Sequence, residues 1–276
     1  MHHFDQWAKN KPPAIKSLAY IFCGNLTFWH RLLDGVRRLP ASTFCPGEFN
    51  LEKWLDLYDN EFKLFDTFTS AITELSNTLN LPFDIDELGE KEDLYDEKYI
   101  NLLELHRIAL NSESSSDTDM LEIELDYDFL FLFKVIIPCA LLHVMLPEEL
   151  LKKAGNGDLQ ALESILHIDK LTIYDPRIRN HIVNHAADAD LFFLERIGKA
   201  LASSYKPFPL KRMKVMAGSL IYYFSQKNDI KLSTKKLLDM FDAIAKDKLG
   251  LERDPDLDMA PASFEKAVER YAYLWE

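Results

Sequence analysis

LLKKAGNGDLQALESILHID, residues 150–169, sets the reading of the whole chain. Leu150, Leu151 and Ala154 stop at a Gly155-Asn156-Gly157 break. Asp158 then stands where a helix wants its N-cap, and Leu159, Leu162, Ile165 and Leu166 recur at spacings of three and four. The pattern is helix, break, capping acid, helix.

The same punctuation runs to the C-terminus. Asp175-Pro176 opens a helix, with proline in the first turn where its missing N–H costs nothing. Asp188 or Asp190 opens 191–203, Pro207 or Pro209 precedes 211–226, Ser233 opens 234–249, and Ser263 caps a last helix. Upstream, Leu51, Trp54, Leu55, Tyr58, Phe62, Phe65, Phe68, Ile72, Leu75 and Leu79 make one stripe, which predicts a long helix over 50–79. A second helix is expected over 96–111, followed by a polar break at 112–117. Leu121, Ile123, Leu125 and Tyr127 alternate with acids, but no partner strand is evident, so at most one short strand or hairpin is expected near 120–127. The fold class predicted is all-α, a multi-helix bundle or irregular helical array. The chain reads as one large helical domain, 1–276. Its best seam lies near 147–157, between an acidic part (1–147) and a part with a basic island (158–276).

The segment 150–169 resembles one unit of an ankyrin or tetratricopeptide helical-hairpin repeat in its A-x-x-G-D-x-x-A-L-x-x-I-L rhythm. No second copy is evident in the sequence, and solenoids need about three units, so the resemblance implies a helix-turn-helix corner and no function.

Composition narrows the classes further. With 276 residues, 47% of them apolar, a large core can form, while only 9 glycines disfavour folds built on tight turns or glycine-rich phosphate loops. The odd, widely spaced Cys23, Cys45 and Cys139 read as reduced thiols, which points to the cytoplasm. The N-terminal apolar run from Leu18 to Phe28 is interrupted by Gly24, Asn25 and Thr27 and lacks a small-residue cleavage pattern, so no signal peptide is expected. The run Phe129 to Leu146 contains Lys134 and Pro138, and its longest uncharged stretch, Val135 to Leu146, is twelve residues against the roughly 20 a bilayer needs, so a buried helix is expected and no membrane partner.

Charge is bipolar. Residues 48–128 carry 23 acids and 5 bases, a net of -18, against -13 for the whole chain. Residues 199–236 carry 9 bases and one acid, a net of +8. Within this island Lys211, Arg212 and Lys214 fall on one helix, and Lys235 and Lys236 open the next, where cations oppose the helix dipole unless an anion is near. These five residues are the candidate anion- or partner-binding set.

Two further sets have metal-ligand spacing. His181 and His185, with Asp188, share a helical stripe that a transition metal would require, although Arg177 shares it too. Asp254, Asp256, Asp258 and Glu265 fall at positions 1, 3, 5 and 12 of a calcium loop, although Met259 replaces the turn glycine. Phosphate-loop, G-x-S-x-G, C-x-x-C and H-E-x-x-H signatures are missing, and no cofactor is expected. The function expected is a non-enzymatic interaction or scaffold protein that binds a protein partner or itself. The alternatives are a nucleic-acid or phosphate-binding regulator using 199–236, and a metal-dependent enzyme using His181 and His185.

Overall fold

The protein is an all-α helical array, seen here in a computed structural model that describes residues 2–24, 26–38, 49–60, 62–68, 127–204 and 207–276. No strand occurs among the described residues. Most of the 121–127 alternation, Cys45 and the expected 96–111 helix lie outside them, and Tyr127 itself begins a helix. No helix among the described residues is long and apolar enough to cross a membrane.

The described residues fall into two compact units. One draws on Met1–Leu32, Lys63–Met120 and Phe208–Glu276, the other on Leu33–Phe62 and Leu121–Pro207. The stretch 147–157 lies inside the second.

In the first unit, α1 (His2–Ala8), α2 (Pro13–Leu18), a π-turn at Ala19–Gly24 and the start of α3 (Leu26–Arg38) join three helices from the C-terminal third of the chain. The Asp247 carboxylate accepts from the His3 and Phe4 backbone N–H groups, both at 2.9 Å, and so satisfies donors that α1 leaves open at its start. An aromatic chain forms the core: Phe22 stacks on Trp29 (5.5 Å) and meets Phe68 (5.3 Å), which meets Trp275 edge-on (5.8 Å). The Trp275 indole donates to Ser219 Oγ at 2.8 Å, so its one polar atom is satisfied where it is buried.

In the second unit, α4 (Leu51–Asp56) is followed by a 3-10 turn, Leu57–Asp59. The helix predicted over 50–79 therefore breaks, with 62–63 non-helical and helix resuming at 64–68. Its aromatic stripe serves two cores: Phe62 stacks on Phe131 (5.5 Å) in the second unit, while Phe65 meets Tyr223 (5.4 Å) in the first. The buried run 129–146 is helical as expected, as α5 (Tyr127–Phe131), a π-turn (Leu132–Ile136) and α6 (Ile137–His143). The π-turn falls directly before Pro138, which has no N–H and whose ring would press on the Lys134 carbonyl in a regular helix. Cys139 in this helix, like Cys23 in the first unit, is unbridged and buried, and burial pushes both thiols up.

The rest of the second unit is α7 (Pro147–Gly155), α8 (Leu159–Ile168), a 3-10 turn (Lys170–Tyr174), α9 (Pro176–Ala187) and α10 (Leu191–Ala202). In the first unit α11 (Leu210–Lys227), α12 (Thr234–Leu249) and α13 (Pro261–Ala272) follow. The last helix starts at Pro261 with Ala260 as its N-cap, three residues before the expected cap Ser263, because Pro261 takes the first-turn position. Asp190, not Asp188, opens α10.

Candidate interaction surface

The structure corrects the reading of 150–169 as an isolated corner. A second copy follows at a spacing of 32 residues. Asp158, Leu159, Leu162, Glu163 and Ile165 recur as Asp190, Leu191, Leu194, Glu195 and Ile197. The two corners share a backbone device. Gly157 and Ala189 both turn left-handed (φ 92 and 53), and the next residue's carboxylate caps the helix. The Asp158 side chain accepts from the Ala161 N–H, and that of Asp190 from the Phe193 N–H, each at 3.0 Å. The pair α7–α8 and the pair α9–α10 are thus consecutive hairpins, and they stack: α8 packs on α10 and α7 on α9. Arg196 clamps Glu163 with two bonds of 2.5 Å between the hairpins.

Among the described residues the stack is open at one end. The first hairpin is flanked by the second hairpin on one side, and also packs on α6 and the Leu57–Asp59 turn. Among the described residues the second hairpin's main contacts are with the first hairpin and the Lys170–Tyr174 turn, and its Arg177 also reaches Asp59 at 2.7 Å. The second hairpin exposes Leu191 (76% exposed), Phe192 (66%) and Val183 (56%), whereas Leu151, one repeat before Val183, is fully buried. Repeat arrays normally close with a polar outer face; the last hairpin among the described residues exposes three large apolar side chains.

The histidine stripe lies within the second hairpin. His181 and His185 meet edge-on at 4.7 Å, and Phe193 lies flat on His185 at 3.9 Å. The His185 Nδ1 bonds Asp190 Oδ2 at 3.0 Å, while Asp188 ends α9. Burial, and then His185, hold His181 below the usual imidazole range. The Phe193 backbone donor, and then His185, hold the Asp190 carboxyl low. Among the described residues no three His, Cys, Asp or Glu side chains converge as a metal ion would require. His185 is part of the corner: it braces the capping acid and stacks on the first buried aromatic of α10.

In the first unit two separately predicted sets meet. Lys214, a member of the basic island, points into the acidic loop: its Nζ donates to Asp254 Oδ1 (2.6 Å), Asp254 Oδ2 (2.8 Å) and Asp256 Oδ2 (2.7 Å). The ammonium thus sits among the carboxylates expected to hold calcium. Asp254 also accepts from the Asp256 N–H and its own N–H donates to Asp242, so the loop is organised around this buried carboxylate. Asp258 and Glu265 are exposed. Of the remaining island, Lys211 and Arg212 are exposed at the start of α11 and Lys235 and Lys236 at the start of α12. There α1 packs on α12, and the Trp7 indole donates to the Lys236 carbonyl at 2.8 Å.

A further polar centre in the second unit escapes sequence reasoning. The buried Asp169 Oδ2 accepts from Trp54 Nε1 (2.8 Å) and Tyr58 OH (3.0 Å), and Oδ1 from the Leu171 N–H (3.0 Å). Burial pushes its carboxyl up against these three donors. Burial also pushes the nearby Lys134 ammonium down to about 8, opposed by the charge of Asp169. The signal was only the spacing of Trp54 and Tyr58 on one stripe, with nothing to join it to a residue 111 positions on.

No protein-family model, no curated protein and no solved structure matches the chain.

Proposed function

We propose that this chain is a non-enzymatic interaction protein that docks a helical partner on the open side of its terminal hairpin, α9–α10. The observation that supports the reading is the exposure of Val183, Leu191 and Phe192 where a repeat array would ordinarily be closed by polar residues. Hairpins of this kind bury their apolar sides by stacking, so another helical element is the shape that fits.

A photo-crosslinking residue placed at 183 or 192, in cells that make the protein, tests this. Discrete adducts from both positions, absent from a control position on exposed Lys266 of α13, are expected. Equal labelling at all three positions, or none, overturns the proposal.

A second reading is a phosphate or nucleic-acid regulator working through Lys211, Arg212, Lys235 and Lys236, which remain on the surface. Engagement of Lys214 by Asp254 and Asp256 counts against its full basic set. A mobility shift with random DNA at low salt would favour it; no shift would remove it.

A further inference from the structure

Resting on the docking reading above, we infer that the partner seated on α10 is a second copy of this chain, related by a two-fold axis. The exposed positions of α10 are Leu191, Phe192, Glu195, Gly198, Lys199 and Ala202, while Phe193 and Ile197 point inward. Phe192, Glu195, Lys199 and Ala202 lie at i, i+3, i+7 and i+10, a single stripe.

That stripe is complementary to itself when reversed. An antiparallel pairing about an axis beside residue 197 sets Glu195 of each copy opposite Lys199 of the other, because 195 and 199 are equidistant from 197. The same register sets Phe192 opposite Ala202, large against small. A two-fold interface demands that if residue i meets j, then j meets i, and this pattern meets that demand without any other surface.

Gly198 is the independent observation. It sits mid-helix, where glycine weakens a helix, and a Cβ added there would meet nothing within 4 Å. No crowding within the chain requires it. Beside the axis of a helix pair, a missing side chain lets the two backbones approach. In the first hairpin the corresponding position is Leu166, buried against the chain's own neighbours.

Glu195 and Lys199 now pair with each other along α10 at 2.6 Å, both largely exposed. In the pairing each exchanges this contact for the equivalent one across the axis, so charge is not left unmatched.

Sedimentation of the full chain tests the inference. The wild type should form a dimer at micromolar to tens-of-micromolar concentration. Glu195→Lys and Lys199→Glu should each weaken self-association by about tenfold or more through like-charge contact across the axis. Mixed together, those two variants should restore a dimer made of one of each. Both side chains are exposed, and unchanged circular dichroism and melting exclude a folding defect. A monomeric wild type, variants that dimerise as the wild type does, or a mixture that stays monomeric would each overturn the second copy as occupant. A monomer that still gives discrete adducts from positions 183 and 192 overturns this inference and leaves the docking reading standing. A monomer without such adducts removes both.

Discussion

Replacing Lys214 by methionine keeps the apolar stem and removes the ammonium from the acidic loop. The Lys214 side chain is 14% exposed, and Asp254, which it contacts through both oxygens, is 3% exposed. Breaking a buried pair by removing one partner costs about 3–5 kcal/mol, because the other charge is left uncompensated. Two features lower that figure here: Asp254 keeps one backbone donor, and Asp256 is 38% exposed and can turn to water. The expected loss is therefore about 2–4 kcal/mol. Urea unfolding at neutral pH, comparing midpoints at fixed slope, measures it. Asp254→Asn alone should also destabilise, and the double variant Lys214→Met/Asp254→Asn should fall short of the sum by about 1.5–3 kcal/mol, since the contact is lost only once. Calcium added to the wild type should leave its stability unchanged, because an ammonium occupies the carboxylates a calcium ion would need. A loss below about 1 kcal/mol for Lys214→Met, with additive behaviour in the cycle, would refute the assignment of Lys214 as the counterion that organises this loop.

Three further outcomes follow from the second unit. Tyr58→Phe deletes one of three donors to the buried Asp169 carboxylate and should cost about 1.5–3 kcal/mol in urea unfolding; a neutral result would mean Trp54 and Leu171 suffice. Ala189→Gly removes a Cβ from a left-handed position (φ 53) and should stabilise by about 0.5–1 kcal/mol, an effect visible as a raised midpoint. Burial depresses Lys134 to about 8 in the folded state against the ordinary lysine 10.5, so between these values the unfolded chain binds the extra proton and stability from this residue rises with pH. Below about 8 both states are charged and the penalty is constant. Lys134→Met should be stabilising at pH 7 by on the order of 2–3 kcal/mol, and that advantage should shrink as the pH is raised toward 10.5.

The sequence made the helical class and most helix starts legible because their signals are local. Asp158, Asp175 and Ser233 cap the helices they were expected to cap, and their side chains reach backbone donors two or three residues on. What escaped notice was set by distant partners. The break after α4 includes 62–63, and Phe62 and Phe65, three residues apart on one stripe, belong to different cores. The second hairpin was hidden by chemistry that differs while backbone geometry is kept: Ala189 replaces Gly157 at the left-handed turn, and Phe192-Phe193 replace Gln160-Ala161. At the candidate sites, spacing along the chain groups residues by type and carries no signal for their pairing. Lys214 was grouped with other cations and Asp254 with other acids, whereas 40 residues of chain separate two halves of one contact.

The Asp247 cap on α1 also bears on the order in which the molecule can be finished during synthesis. His3 and Phe4 take their capping acceptor from a residue more than 240 positions later, and Phe22 and Trp29 join an aromatic chain that ends at Trp275. At about 5–20 residues per second, the first thirty residues leave the ribosome on the order of 10–50 s before the helices that cover them. The second unit, complete by Pro207, has all its parts in hand earlier. Phe4, Ile15, Leu18 and Trp29 therefore spend that interval as uncovered apolar surface on a nascent chain, a window in which a holding chaperone would find its substrate.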